Sequence, residues 1–171
     1  YTELTDNGKT RASTVLKDKL LKQKFTHIYC SPFIRTLQTI NPYVKEIDAK
    51  VNIENGFMEA LQHYLFKLKT NLILPYNCHD KYNINLKYKS IYNINDCKFH
   101  ESNDNIKERV TNTLKTITKR HENTRDKILI CTHKCICNIG LEYLLGVKRE
   151  KEETYNMGDL STTIGKKVYF L

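Results

Sequence analysis

The stretch IYCSPFIRTLQT, residues 28–39, decides the fold. It completes a short apolar run, His27 to Cys30, of the kind that forms a buried strand. Ser31-Pro32 stops that run, and proline at a first helical position suits a helix start. Phe33, Leu37 and Ile40 then recur at helical spacing, which predicts a helix to about Val44. The segment KILICTHKCICNIGLEYLLG, residues 127–146, repeats the pattern. Lys127 to Thr132 reads as a buried strand. Cys135 to Leu145 reads as an apolar helix with Gly146 as its stop.

Working outward, Thr5 has the side chain of an N-cap, and Ala12, Val15, Leu16 and Leu20 predict an amphipathic helix over 6–23. Val51 to Ile53 is a short strand. Ile106, Val110, Leu114 and Ile117 predict a helix over 103–121. Leu160–Ile164 and Lys167–Phe170 read as a closing hairpin around Gly165. Strands thus alternate with helices, the pattern of an α/β sheet covered on both faces. We expect one domain spanning residues 1–171. A long excursion at about 60–100 interrupts it. Its middle, NCHDKYNINLKYKSIYNINDCKF, has no clear period. Loops of that length serve as lids or binding loops, or stay disordered, and both readings stand at this stage.

Composition narrows the function. The net charge of +9 comes from scattered lysines with no run of five or six, so nucleic acid is not an expected partner. No apolar run reaches the roughly 18 residues of a membrane span. No signal peptide precedes the six cysteines, so reduced thiols and a cytoplasmic location are expected.

Ligands of open α/β sheets bind outside the carboxyl ends of the parallel strands. Arg35 lies one turn into the helix after the first strand, and His133 directly follows the strand LICT. If the two strands are parallel, both side chains face one crevice. The N–H groups at the two helix starts favour an anion there, and an arginine fork suits phosphate. The cluster ICTHKCIC, residues 130–137, also raises a metal reading. Tetrahedral ligation needs three or four converging donors. Cys131 lies in the strand, while Cys135 and Cys137 fall on different sides of a helix start, so no metal is expected.

Four blocks in order now carry a resemblance. They are LTDNGKTRA (4–12), IYCSPFIRTLQT (28–39), Glu101-Ser102 with Arg109-Val110, and ILICTHKCICNIGLEYLLG (128–146), and the terminal MGDLSTTI supports them. Together they resemble successive motifs of the histidine phosphatase superfamily, the phosphoglycerate mutase-like group. INLKYKSIY followed by Glu101-Ser102 is further similar to the branch of ubiquitin-associated, SH3-containing and ecdysteroid-phosphate phosphatases.

The resemblance implies a three-layer sandwich with a mostly parallel central sheet. It implies phosphate monoester chemistry through a phosphohistidine, with no cofactor and no metal. The substrate would be a phosphorylated small molecule or a phosphoprotein. Arg35 matches the family's second phosphate-binding arginine, and His133 its second histidine. Glu59 sits where one branch keeps its proton-donating acid; its other reading is a solvated surface carboxylate. Lys134 and Cys135 depart from the small residues the family places after that histidine. Cys135 lies near a helix start, where thiol pKa values tend to fall.

The attacking histidine of the family lies in an Arg-His-Gly motif ahead of the LTxxG block, and that motif does not occur in these residues. Arg120-His121-Glu122 is a decoy, since it follows a helix and precedes a strand. The resemblance therefore implies an N-terminally incomplete copy that lacks the first strand and the nucleophile and is inactive alone. The alternative is an inactive pseudophosphatase that binds a phospholigand or a protein.

Overall fold

The structure is a computed structural model that describes residues 3–62, 78–146 and 168–171. The first helix is not the single run that the apolar spacing predicts. It is built from α1 (Asp6–Arg11), a π-helical turn at Ala12–Leu16 and α2 (Lys17–Leu21). Thr5 does cap it, its Oγ1 accepting from the Gly8 N–H at 3.2 Å. Ala12 and Leu20 are buried as expected, but Val15 is exposed.

The chain then runs β1 (His27–Cys30), α3 (Ile34–Glu46), β2 (Val51–Ile53), α4 (Cys78–Lys81), α5 (Asn103–Arg120), β3 (Ile128–Cys131), α6 (Lys134–Leu145) and β4 (Val168–Phe170). Helix α3 begins two residues after Pro32, with Phe33 as N-cap. Ser102 caps α5 by accepting from the Asn105 N–H. Gly146 ends α6 in the left-handed region, φ 66°, where only glycine sits without a Cβ penalty.

The strands form one sheet in the order β2-β1-β3-β4, and every pairing is parallel. His27 pairs with Ile128 and Cys30 with Cys131, so β1 and β3 end at the same edge. Strand β4 pairs parallel to β3, with Val168 opposite Ile128. Pairing continues past it, because Leu171 N–H donates to Ile130 O and Thr132 N–H to Leu171 O, both at 2.8 Å. The other arm of the expected hairpin, Leu160–Ile164, lies outside the described residues.

Side chains alternate across the pleat and build two cores. Tyr29, Ile128, Ile130, Val168 and Phe170 pack with α5 and α6 through Val110, Leu114, Ile117, Ile136 and Leu141. Ile28, Cys30, Leu129, Cys131 and Tyr169 pack on the other face against Leu20, Leu37, Ile40, Tyr43 and Val44. The result is the expected three-layer α/β sandwich. Gly140 sets how closely α6 meets β4, since a Cβ there would lie 2.4 Å from Phe170 Cζ.

The described part of the excursion holds only α4 and a short 3-10 turn at Ile94–Asp96 as helix, but from Tyr82 to Glu101 it is tied down. Glu54 does this from full burial. Its carboxylate accepts from Tyr88 Oη at 2.6 Å, Ser90 Oγ at 2.8 Å, and the N–H groups of Ile91 at 2.8 Å, Tyr92 at 3.1 Å and Gly56 at 2.8 Å. Such a carboxylate replaces the hydrogen bonds that a loop otherwise takes from water.

Candidate active site

The parallel pairing of β1 and β3 places Arg35 and His133 at one edge of the sheet, as the sequence predicts. Arg35 stands in the first turn of α3, and His133 is the N-cap of α6. Arg35 Nη2 lies 3.0 Å from His133 Nδ1. The same nitrogen donates to Glu59 Oε2 at 2.9 Å. Glu59 Oε2 is also 3.2 Å from His133 Nδ1. Three side chains from distant parts of the chain thus meet at one point. Glu59 is half-buried and engaged, not a solvated surface carboxylate.

The contact with Arg35 assigns the histidine tautomer. A guanidinium only donates, so Nδ1 must present its lone pair to Arg35. Nε2 then carries the proton and donates to Ser31 Oγ at 2.8 Å. Burial, followed by the nearby charges of Arg35 and Arg109, pushes the His133 pKa down to about 3. His133 is therefore a neutral ring at neutral pH. Phe33 closes the site, with its ring edge-on to His133 at 5.0 Å and under the Arg35 guanidinium at 5.0 Å.

Ser31 is a site residue that sequence reading passed over. Its signal was its position: it follows β1 as His133 follows Thr132, at the same edge. A second omission is the role of Glu101 and Arg109, noted only as a motif. Arg109 Nε donates to Glu101 Oε1 at 2.7 Å and Nη2 to Oε2 at 2.8 Å, a two-pronged pair with both side chains buried. Arg109 Nη1 also donates to the carbonyls of Gly56 and Met58, at 2.9 and 3.0 Å. Glu101 Oε2 accepts from the Leu61 N–H at 3.0 Å. The pair therefore grips the backbone on both sides of Glu59 and sets where that carboxylate stands.

The sulfurs around His133 point to separate places. Cys131 Sγ donates to Thr36 O on the α3 side, and Cys137 Sγ to Leu171 O. Cys135 is exposed. Its thiol is raised, contrary to the expectation from the helix start. Loss of solvent around the sulfur and the Glu59 carboxylate outweigh the nearby charge of Arg109. Lys134 is exposed.

A profile of the histidine phosphatase superfamily, branch 1, matches residues 2–166. The chain belongs to this superfamily. Among solved structures, this histidine phosphatase fold is similar to ecdysone phosphate phosphatase from Bombyx mori in complex with tungstate. That match has a TM-score of 0.71 and 20% identity and covers 92% of this chain and 63% of that one. It is also similar to mycobacterial glucosyl-3-phosphoglycerate phosphatase, with TM-score 0.58, 13% identity and coverage of 86% and 69%. Phosphoserine phosphatase from Entamoeba histolytica matches with TM-score 0.52, 21% identity and coverage of 85% and 68%. At these identities the likeness is one of fold. The present chain spans 63% of the length of the Bombyx mori protein. No curated protein sequence matches it.

Within the superfamily fold, the Arg120-His121-Glu122 segment lies away from the site. His121 caps the end of α5 and contacts Tyr29 and Asp126, just ahead of β3. It therefore sits toward the amino-terminal edge of the strands, opposite Arg35 and His133. Among the described residues no helix is long and apolar enough to cross a membrane.

Proposed function

We propose that these residues form the phosphoryl-binding side of a phosphate monoester hydrolase that works through a phosphohistidine. The observation that carries this reading is the mutual contact of Arg35, Glu59 and His133 at the carboxyl edge of two adjacent parallel strands. Arg35 supplies a charged fork for phosphoryl oxygens, and His133 supplies a neutral, pre-oriented ring. The role given to Glu59 is that of the acid for the leaving oxygen, once the phosphoryl group has displaced it from Arg35 and it has taken up a proton from solvent. In the resting geometry Arg35 is paired with Glu59, so an entering phosphoryl group competes with that carboxylate for the guanidinium.

Residues 1–171 contain no Arg-His-Gly segment, and these residues alone are expected to turn over substrate negligibly. Loss of a nucleophile removes most of the rate, because such groups act as a unit. The substrate is a phosphorylated small molecule or a phosphoprotein, in a cytoplasmic setting. The second reading, a pseudophosphatase that binds without turnover, is favoured by Lys134 and Cys135, which stand where the family keeps small residues.

One experiment separates these readings. The native-length protein is purified from its source and assayed with an aryl phosphate, and the acid-labile phosphoenzyme is trapped. A phosphohistidine that is lost together with turnover in His133→Ala and Arg35→Ala supports the hydrolase. Tight oxyanion binding with no phosphoenzyme supports the pseudophosphatase. Absence of both turnover and oxyanion binding would overturn the phosphoryl-site assignment.

A further inference from the structure

The sheet edge opposite this site holds a second cluster. His27 opens β1, His121 caps α5, and Asp126 lies in the turn that leads into β3. One ligand atom from each of the three lies within 4.8 Å of the others. Asp126 Oδ2 is 2.8 Å from His121 Nδ1, and Oδ1 is 3.5 Å from His27 Nδ1. The two imidazole rings approach to 4.4 Å between centroids. His27 Nδ1 also lies 3.1 Å from Thr26 Oγ1, so an ion held there would take over a position that this hydroxyl now shares with the carboxylate.

We propose that His27, His121 and Asp126 form a binding site for a divalent transition-metal ion of the zinc type. Two imidazoles and one carboxylate are a donor set that zinc accepts, at about 2.0–2.2 Å, with a fourth position left for water. The three donor atoms, now within 4.8 Å of one another, would have to draw in around the ion. Surrounding groups hold the ligands in place. Tyr29 Oη lies 3.0 Å from His121 Nε2 and can accept its N–H, which leaves Nδ1 for the metal. Thr26 Oγ1 donates to Asp126 Oδ1 at 3.1 Å. His27 and Asp126 are 38% and 21% exposed, so an ion and its water can enter from solvent. On loading, the His121 proton passes from Nδ1 to Nε2, and both rings bind as neutral imidazoles. The ion would tie the end of α5 to the starts of β1 and β3. It would act as a structural clamp remote from the phosphoryl chemistry.

The test uses the native-length protein after chelator treatment, titrated with zinc chloride by calorimetry and then with cobalt by visible absorption. Binding of one ion is expected, with cobalt bands of nitrogen and oxygen ligation and no sulfur charge-transfer band. Affinity should fall at least about tenfold in His27→Ala and in Asp126→Asn, and stay unchanged in Cys135→Ser. Circular dichroism confirms that each variant folds, and His27→Asn replaces His27→Ala if the latter does not. Undiminished zinc affinity in both ligand variants, a sulfur charge-transfer band, or no zinc binding at micromolar concentration would each overturn the proposal.

Discussion

Arg35 Nη2 and His133 Nδ1, 98 residues apart in the chain, lie 3.0 Å apart in the fold, and this contact requires the imidazole to be neutral. The consequence for stability can be signed. The folded pKa of about 3 lies below the ordinary histidine value of 6.5. As pH falls through 6.5 the unfolded chain takes up a proton that the folded chain refuses. The contribution of His133 is therefore complete above pH 6.5 and declines as pH drops toward about 3, by at most about 1.4 kcal/mol per pH unit. His133→Gln should flatten that part of the curve. Urea unfolding of both proteins at intervals across the window checks it, and parallel curves would contradict the neutral ring.

The triangle of Arg35, Glu59 and His133 predicts opposite outcomes for two substitutions. Arg35→Ala removes a charge-assisted donor, and oxyanion binding should weaken by about 1.5–3 kcal/mol. Glu59→Gln removes the carboxylate that holds Arg35 at 2.9 Å. Tungstate or inorganic phosphate should then bind several-fold tighter, while turnover of the native-length protein falls. Calorimetric titration of the three proteins reads the first effect, and steady-state assay the second. Weaker oxyanion binding in Glu59→Gln would show that the carboxylate helps to hold the anion.

Much of this site was legible because strand–helix junctions announce themselves. Ser31-Pro32 after HIYC and Thr132-His133 after LIC mark the two places where polar groups must gather. Parallel pairing of β1 and β3 then brings them together. What stayed hidden was the tertiary wiring. Glu54 reads as an ordinary acid in the sequence and Glu101 only as part of a motif with Arg109, and nothing local shows that each is buried with backbone N–H groups or an arginine as partners. The π-helical turn was equally hidden, since Ala12, Val15, Leu16 and Leu20 fit an unbroken α-helix by spacing alone. The partners of β4 depend on long-range packing, including Gly140 against Phe170.

Glu54 carries a prediction for the excursion. Glu54→Ala would leave Tyr88 Oη and the N–H groups of Gly56, Ile91 and Tyr92 without their acceptor, while Ser90 Oγ keeps the Tyr92 carbonyl at 3.0 Å. Each buried polar group so stranded costs about 1–3 kcal/mol, less where water enters. A total loss of at least about 3 kcal/mol is expected. Hydrogen exchange at the Ile91 and Tyr92 amides should accelerate more than exchange in β1 or β3. Equal acceleration everywhere would mean that Glu54 supports the whole fold and not this segment.

Gly140 predicts a cost that is purely steric. A methyl group at this position would meet Phe170 Cζ at 2.4 Å and Leu114 Cδ1 at 3.2 Å. Both neighbours are buried, so neither can move away freely. Gly140→Ala should destabilise by about 1–3 kcal/mol through overpacking, even though alanine favours the helix. Phe170→Leu should restore part of the loss by clearing space. Chemical unfolding of the single and double variants checks this, and no recovery in the double variant would place the clash elsewhere.

Arg109 and Glu101 give the last prediction, in which stability and site geometry separate. Both side chains are buried, so removing one leaves an unpaired charge. Arg109→Met should cost about 3–5 kcal/mol, and Arg109→Met with Glu101→Leu much less, because no buried charge then remains. The carbonyls of Gly56 and Met58 lose the Arg109 donor in both variants. Glu59, the next residue along, should therefore drift from Arg35 even in the double variant that has regained its stability. The readouts are urea unfolding for the first effect and oxyanion titration for the second. A double variant with both stability and anion affinity restored would show that the buried pair serves the core alone.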